Sequence, residues 1–355
     1  MPDQDNKTPA QVAVQFHSAK DYFNGGRFQN DINNFIPHAY GYTGYGNLDW
    51  LQPLYPGLYV LGAISSLGKT TFIHQMADQI ASNRPSATGG IFHGYPVLYF
   101  SLEQSEFELR SKSLSRGFFL RQQEEIKKNG TYPTYTSIAL RRGEANGTQE
   151  LQEVIDNYVN TVEDHMTIYE CNFSVTVEDI EKIVDEYIEK TKIAPVVVID
   201  YLQIISPTLI NGRQPDAKSA VDHIVHEIKC FQVKHNLTVI LISSLNRMNY
   251  MTPIDFESFK ESGGIEYTAD VIWGLQLSVL NTPLFEKEGR IKEKREDIRN
   301  AKAQIPREIE LVVLKNRYGR TSITFPFEYF PQFDTIRELP LPLGHPLLTA
   351  PGARP

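Results

Sequence analysis

Short apolar runs alternate with segments of helical periodicity along most of this chain. Residues 58–61 form the first run, and residues 96–103, 194–205 and 237–247 form the next ones. In the segment after the first run, Phe72, Ile73, Met76, Ala77 and Ile80 recur at the spacing of one helix face. Strands rich in Val, Ile and Leu that alternate with helices predict an α/β fold. Its central sheet is expected to be mostly parallel and flanked by helices on both faces.

The last apolar runs follow a different pattern. No helix is predicted between residues 307–320 and residues 321–327, so these strands are expected to form a C-terminal antiparallel hairpin with Tyr318 and Gly319 at its tip. A charged helical insert at residues 286–304 precedes them, and its mixed charges are typical of a solvated helix face. We therefore predict an N-terminal extension at residues 1–40, one ATPase domain at residues 41–335 and a Pro-rich C-terminal tail at residues 336–355.

The turn after the first apolar run suggests a nucleotide site. We interpret the stretch from Gly62 to Thr70 as a phosphate-binding loop of the type G-x-x-x-x-G-K-T, placed between a strand and a helix. Such a loop curls its backbone N–H groups around phosphate, and the helix directs its N-terminal dipole at the same anion. Lys69 is expected to reach the outer phosphates of ATP, and Thr70 to bind Mg²⁺. The predicted nucleotide contacts in this loop are Gly62, Ser65, Ser66, Gly68, Lys69, Thr70 and Thr71.

Polar residues close the next predicted strands, at the edge where parallel sheets bind ligands. Asp200 follows four apolar residues and is predicted to hold Mg²⁺ together with Thr70. Glu103 ends the preceding strand and is predicted to act as the general base on the attacking water. Ser244 ends the strand after Asp200 and is predicted to contact the nucleotide. The alternative for Asp200 is a cap or turn residue that merely follows a strand.

Composition and net charge limit the class of protein and the cellular compartment in which this site is expected. The 355 residues carry a net charge of -8 with a sequence pI near 5.7, which argues against nonspecific coating of nucleic acid. Two cysteines lie far apart and form no C-x-x-C pair, which fits a reducing compartment. No apolar run has the length of a membrane span. We expect a cytoplasmic protein without a membrane segment.

Five stretches of the chain resemble the motifs of DnaB-family replicative helicases. In order, they are "FSLEQSEFELRSKSLSR", "VVVIDYLQIISP", "ISSLNR", "FKESGGIEYTADVIWGL" and "LKNRYGR". The resemblance runs from about residue 41 to about residue 333 and indicates the RecA-like motor domain of those proteins, a P-loop NTPase. It implies a homohexameric ring that acts in DNA replication, hydrolyses ATP between subunits and threads single-stranded DNA. It also implies a primase or helicase loader as a partner. The extension at residues 1–40 is expected to stand where the family has an N-terminal domain and a linker.

The resemblance also assigns roles to individual residues. It implies that Lys315 and Arg317 enter the ATP site of the neighbouring subunit, and that Lys260, Glu261 and Gly263 contact the DNA backbone. Two positions depart from the family pattern. Ser244 stands where the family usually has Gln, and Lys260 stands where it usually has Arg, which removes a bidentate donor. From the residues alone, an ordinary surface loop is the preferred interpretation of the segment around Lys260.

Two other functions share the P-loop, the Glu and the Asp. One is a RecA-like recombinase that forms open filaments on DNA, and the "DYLQ" and "KNRYGR" stretches favour the helicase over it. The other is a helicase-like ATPase that serves as a loader or adaptor. Ser244 and the short N-terminal extension keep that alternative open.

Overall fold

The computed structural model of the chain describes residues 18–35, 42–51, 53–85, 90–207, 215–246, 250–259 and 263–348. The chain divides into two compact units, Met1–Ile36 and Pro37–Pro355. In the described part of the first unit, α1 (Ala19–Asn24) begins at the capping residue Ser18 and is followed by α2 (Arg27–Phe35). The rings of Tyr22, Phe23 and Phe28 contact one another edge to face.

The second unit is built around a nine-stranded sheet with the strand order β11-β10-β9-β8-β1-β7-β6-β4-β5. Its strands are β1 (Gly57–Ala63), β4 (Val97–Ser101), β5 (Met166–Glu170), β6 (Val196–Asp200), β7 (Thr238–Ser244), β8 (Val271–Leu277), β9 (Arg307–Asn316), β10 (Ile323–Phe330) and β11 (Thr335–Glu338). The strands from β5 to β8 in this order are parallel, and the last three pairs are antiparallel. Two short strands, β2 (Arg84–Pro85) and β3 (Ile91–Phe92), form a separate hairpin. The predicted fold class is confirmed.

Helices cover the sheet and connect its parallel strands. They are α3 (Gly46–Leu51), α4 (Lys69–Ala81), α5 (Glu106–Arg121), α6 (Gln123–Asn129), α7 (Ser137–Arg141), α8 (Gln149–Val162), α9 (Val177–Thr191), α10 (Ala217–His235), α11 (Gly263–Thr268), α12 (Pro283–Glu286) and α13 (Ile291–Ala303). Side-chain caps fix where several of them begin, as Ser105 and Glu108 do in a reciprocal capping box at α5. No helix in the described ranges is both long and apolar enough to cross a lipid bilayer.

The central strands are buried on both faces because helices pack on each side. All residues of β1, β4, β6 and β8 are buried, which explains why these strands are continuous apolar runs rather than alternating ones. The core places the carboxyl ends of the parallel strands at one edge of the sheet. That edge carries the loop between β1 and α4.

The predicted start of the C-terminal tail at residue 336 is wrong. Strand β11 crosses that boundary and pairs with β10, and Ile336 is buried in the core. Farther on, Leu347 is also buried, and Nε2 of His345 lies 2.9 Å from the carbonyl oxygen of Thr324. The predicted boundary divides a short strand that precedes the Pro-rich run and whose apolar residue packs inward. Residues 349–355 lie outside the described part of the chain.

Candidate nucleotide site

The loop between β1 and α4 has the backbone of a tight phosphate cradle. Gly68 has a φ of 95°, and Ser66 has a φ of 64°, so two residues of one short loop adopt left-handed conformations. At Gly68 a side chain would also meet the ring of Tyr329, because an added Cβ would lie 3.0 Å from its Cε1 atom. Both constraints explain the glycine at this position. Helix α4 begins directly after it at Lys69.

The phosphate-binding pattern begins one residue later than predicted. Five residues separate Gly62 from Gly68, whereas the pattern has four, so Ala63 stands at its first position. Gly62 is a residue of β1 that faces the core. A Cβ there would lie 2.4 Å from Phe259 and 2.7 Å from Leu245. The close approach of these two side chains, rather than phosphate binding, therefore requires a glycine at residue 62.

A cavity of about 520 Å³ opens above this loop. Most of the residues predicted to contact nucleotide line it: Ser65, Ser66, Gly68, Lys69, Thr70, Thr71, Glu103 and Ser244. The remaining lining residues are Gln104, Lys112, Tyr201, Arg307, Tyr329 and Pro331. The fold thus gathers residues from the P-loop and from the ends of five further strands, β4, β6, β7, β9 and β10, at one edge of the sheet.

Asp200 lies beneath the cavity floor at the end of β6, and only 2% of its surface is exposed. Burial raises the pKa of its carboxyl group to about 6, while hydrogen bonds from the hydroxyl groups of Tyr99 and Thr70 act in the opposite direction. The Tyr99 hydroxyl donates to Asp200 Oδ2 over 2.8 Å. A buried carboxylate beside a P-loop hydroxyl group offers the oxygen ligands that Mg²⁺ prefers. Thr70 and Asp200 therefore fit a magnesium site.

Lys69 and Glu103 complete the reactive part of the cavity. Burial lowers the pKa of Lys69, and the carboxylates of Asp200 and Glu103 counteract this effect. Glu103 is an exposed residue just beyond β4, one strand away from Asp200 in the sheet. A carboxylate in this position can accept a proton from water inside the cavity.

All six of the other residues that line the cavity were missed by the sequence analysis, among them Lys112, Arg307 and Tyr329. Lys112 of α5 forms an ion pair of 2.7 Å with Asp334, which also accepts a hydrogen bond from Thr71. Arg307 begins β9, and its guanidinium carbon lies 5.5 Å from the ring centre of Tyr329 near the end of β10. The predicted antiparallel hairpin could have indicated that Arg307 and Tyr329 lie near the cavity. An antiparallel strand beside β8 begins at the carboxyl edge of the parallel strands, and the following strand returns to that edge.

Ser244 has a longer polar neighbour. The Gln203 side chain donates from Nε2 to Ser243 Oγ over 3.0 Å, and its Oε1 accepts from the backbone N–H of Ser244 over 3.2 Å. An amide side chain is therefore fixed beside Ser244, although it comes from the segment after β6.

Lys315 and Arg317 lie at the opposite edge of the sheet from the cavity. The ammonium group of Lys315 donates to the carbonyl of Glu266, and Arg317 Nη1 pairs with Asp270 Oδ1 over 2.9 Å. Asp270 directly precedes β8 and accepts from the backbone N–H of Leu58 at the start of β1. The seven residues of β1 therefore separate Arg317 from the P-loop. The structure does not bring Lys315 and Arg317 to the nucleotide site of their own chain.

The structure describes only part of the predicted DNA loop. Lys260 and Glu261 lie outside the described residues, and Gly263 begins α11. The stem before the loop is well defined, because Leu245 and Phe259 form a β-bridge and Asn246 donates its backbone N–H to the Ser258 carbonyl.

Glu181, Asp185 and His235 form a second group of metal-type side chains, on α9 and α10. The ammonium group of Lys234 lies 2.7 Å from Glu181 and 3.2 Å from Asp185. His235 Nε2 lies 2.8 Å from Asp185. A surface ion-pair network accounts for this cluster without a metal ion.

Comparisons with known proteins agree with this geometry. Residues 42–338 match the family model of the DnaB-like helicase C terminal domain. The chain is 27% identical over 236 residues to the replicative DNA helicase DnaB of Leifsonia xyli subsp. xyli (strain CTCB07), which covers 65% of this chain and 45% of that protein. The chain thus spans about half the length of this curated relative.

Two solved structures have a similar fold. One, described as an ATPase domain, has a TM-score of 0.65 at 16% identity, with 91% of this chain and 100% of that chain covered. The other, a DnaB-like replicative helicase described with its interactions with primase, has a TM-score of 0.63 at 16% identity, with 92% of this chain and 68% of that chain covered. The family match extends over most of the chain and confirms the resemblance in the motifs. The protein therefore belongs to the family of DnaB-like helicase C-terminal domains.

Proposed function

We propose that this protein is an ATP-dependent DNA helicase of the DnaB type that acts in DNA replication. It hydrolyses ATP at the subunit interfaces of a homohexameric ring that moves along single-stranded DNA. The observation that carries the proposal is the division of the site. One edge of the sheet holds the P-loop, Glu103 and Asp200, whereas Arg317 lies at the other edge. A complete site then requires two subunits.

The residues of the cavity have distinct tasks in this proposal. Backbone N–H groups of the P-loop and the Lys69 ammonium group hold the phosphates of ATP. Thr70 and Asp200 hold Mg²⁺, which neutralises charge on the phosphates when it is bound. Glu103 orients a water molecule and accepts its proton. Tyr329 offers an aromatic ring beside the P-loop, on which a nucleotide base can stack.

Side chains at the opposite edge of the sheet act in the ATP site of the neighbouring subunit. The Arg317 guanidinium group and the Lys315 ammonium group reach the ATP site of the next copy and stabilise charge that develops during phosphoryl transfer. Lys260, Glu261 and Gly263 contact the DNA backbone from the loop after Phe259. A DnaB-like relative is described with its interactions with primase, which supports a primase as a partner of this protein as well. Such an enzyme acts in the cytoplasm.

Strand displacement tests this function. The substrate is a fluorescently labelled duplex with single-stranded tails, and the readout is release of the labelled strand. We expect release with ATP and Mg²⁺, and none without nucleotide or with Lys69→Ala, because that variant lacks the cation for the outer phosphates. A wild-type protein that binds ATP and DNA but never separates the strands would instead indicate a loader or adaptor.

A further inference from the structure

The charged helix α13 lies beside the nucleotide cavity, although its sequence carries no nucleotide motif. Ile298 and Ala301 pack against the main core, so this insert is an integral part of the domain and not a detached surface helix. Its C-terminal turn includes Lys302, which is half-buried. Five residues later the chain enters β9 at Arg307, which lines the cavity.

Arg307 joins the end of this helix to the P-loop. Its Nε and Nη2 atoms donate to the Lys302 carbonyl over 3.0 and 2.5 Å, and its Nη1 atom donates to the Ser66 carbonyl over 2.9 Å. The last carbonyls of a helix lack intrahelical donors and attract cations. The rigid fork of a guanidinium group can satisfy such a carbonyl and still donate in another direction. One side chain thus holds two backbone segments together.

The P-loop residue in this clamp has an uncommon conformation. Ser66 has a φ of 64°, a left-handed value that a residue with a side chain adopts only where its surroundings hold it. The hydrogen bond from Arg307 to its carbonyl is such a restraint. The orientation of the phosphate-binding backbone therefore depends on a residue outside the P-loop.

The same turn of α13 also contacts the segment that leads to the predicted DNA loop. The Lys302 ammonium nitrogen lies 5.9 Å from the ring centre of Tyr250. The segment 250–259 is anchored to the sheet, because the Ile254 backbone N–H donates to Gln276 Oε1 over 2.8 Å. It ends at Phe259, directly before Lys260. The Lys302 carbonyl is therefore linked to the P-loop through Arg307, and the Lys302 side chain faces this segment.

We propose that α13 couples the nucleotide cavity to the segment before the DNA loop. Arg307 is the positioning residue on the nucleotide side, and it acts through the Ser66 backbone. Lys302 is the positioning residue on the DNA side, and it acts through Tyr250. The DNA half of this inference rests on the proposed function, whereas the P-loop half does not.

Two variants of Arg307 test the P-loop half. Arg307→Ala is expected to weaken binding of a fluorescent ATP analogue with Mg²⁺ by about tenfold, since three hydrogen bonds from a charged group are lost, one of them to the P-loop. Arg307→Lys restores little, because an ammonium group lacks the fork needed to reach both carbonyls. In hydrogen-exchange mass spectrometry without ligands, the P-loop peptide exchanges faster in both variants, and thermal unfolding verifies that they are folded.

Arg299→Ala is the matched control on the same helix. The Arg299 side chain is 74% exposed and pairs only weakly with Glu296, at 3.7 Å, so its loss should leave nucleotide affinity and P-loop exchange unchanged. Wild-type affinity and wild-type P-loop exchange in Arg307→Lys would overturn the positioning role of Arg307. This outcome would leave the proposed helicase function intact.

Lys302→Met tests the DNA half. This variant keeps the Lys302 carbonyl, and hence the Arg307 clamp, but removes the cation from the Tyr250 ring. We expect its nucleotide affinity without DNA to stay within about twofold of wild type. The factor by which a nonhydrolysable ATP analogue tightens binding of single-stranded DNA should fall at least about threefold, in the range of a modest coupling energy. An unchanged factor would overturn the coupling. If the ATP analogue does not change the affinity of the wild-type protein for single-stranded DNA, both the coupling and the proposed function would be overturned.

Discussion

Substitution of Arg317 separates nucleotide binding from hydrolysis if the ATP site is shared between subunits. In one chain, Arg317 is bound to Asp270 at the start of β8, while the P-loop follows the other end of β1. A strand of seven residues spans roughly 20 Å, which is far beyond the reach of an arginine side chain. Arg317→Ala should therefore bind ATP with wild-type affinity. Its hydrolysis should fall by about a thousandfold or more, the usual effect of removing an arginine finger.

A mixture of two inactive variants gives the sharper test. Arg317→Ala subunits have an intact P-loop, and Lys69→Ala subunits have an intact Arg317. In a ring with head-to-tail interfaces and random order, about a quarter of the interfaces in an equal mixture combine both intact parts. The ATPase rate at constant total protein should rise to a maximum near the equal mixture, at up to about a quarter of the wild-type rate if sites act independently.

Arg320→Ala is a suitable control for this experiment. Arg320 belongs to the same turn and is exposed, and its Nη1 atom donates to the Pro346 carbonyl over 3.2 Å. Its loss should leave the ATPase rate close to wild type. Full DNA-stimulated ATPase activity of Arg317→Ala alone would refute the finger role. A mixture that stays inactive at every ratio, although mass spectrometry detects mixed rings, would refute the shared site.

Three further changes test other parts of the structure. Gly62→Ala should lower the free energy of unfolding by about 1–3 kcal/mol, because the new Cβ would overlap Phe259, and Gly263→Ala, which meets no atom within 4 Å, is the control in urea unfolding. Burial lowers the pKa of His74 to about 4, so stability is fully present above about pH 6.5 and falls by about 3 kcal/mol as the pH drops through 4. His74→Gln should remove most of this loss when the free energy of unfolding is measured at a series of pH values. A variant whose free energy of unfolding depends on pH as steeply as that of the wild type would contradict the role of His74. Lys260→Ala should weaken binding of single-stranded DNA in an anisotropy titration and leave DNA-free ATPase activity unchanged, whereas equal affinity would contradict a phosphate contact there.

The sequence predicts the parallel part of the fold well because the physical signal is local. Strands β1, β6 and β7 are buried on both faces and are therefore visible as unbroken apolar runs. The P-loop is visible for the same reason, since Gly68, Lys69 and Thr70 are consecutive. Asp200 and Glu103 follow from the rule that parallel strands deliver their last residues to one edge.

The remaining parts of the site depend on contacts between distant segments. Lys112 reaches the cavity only because α5 packs where Asp334 can hold its ammonium group. Arg307 lies 241 residues from Ser66 along the chain, so no local pattern could indicate the clamp between them. The prediction for residues 336–338 failed because a four-residue strand directly before a Pro-rich stretch has too little periodicity to reveal its pairing with β10.

The ATPase rate of Glu103→Gln in the presence of single-stranded DNA tests the central claim most directly. Glutamine keeps the size of the side chain but cannot accept a proton from water. The account predicts that this variant binds a fluorescent ATP analogue with wild-type affinity, while its DNA-stimulated turnover falls to the level of Lys69→Ala. Hydrolysis at the wild-type rate would contradict both the general-base role of Glu103 and the assignment of this cavity as the site of ATP hydrolysis.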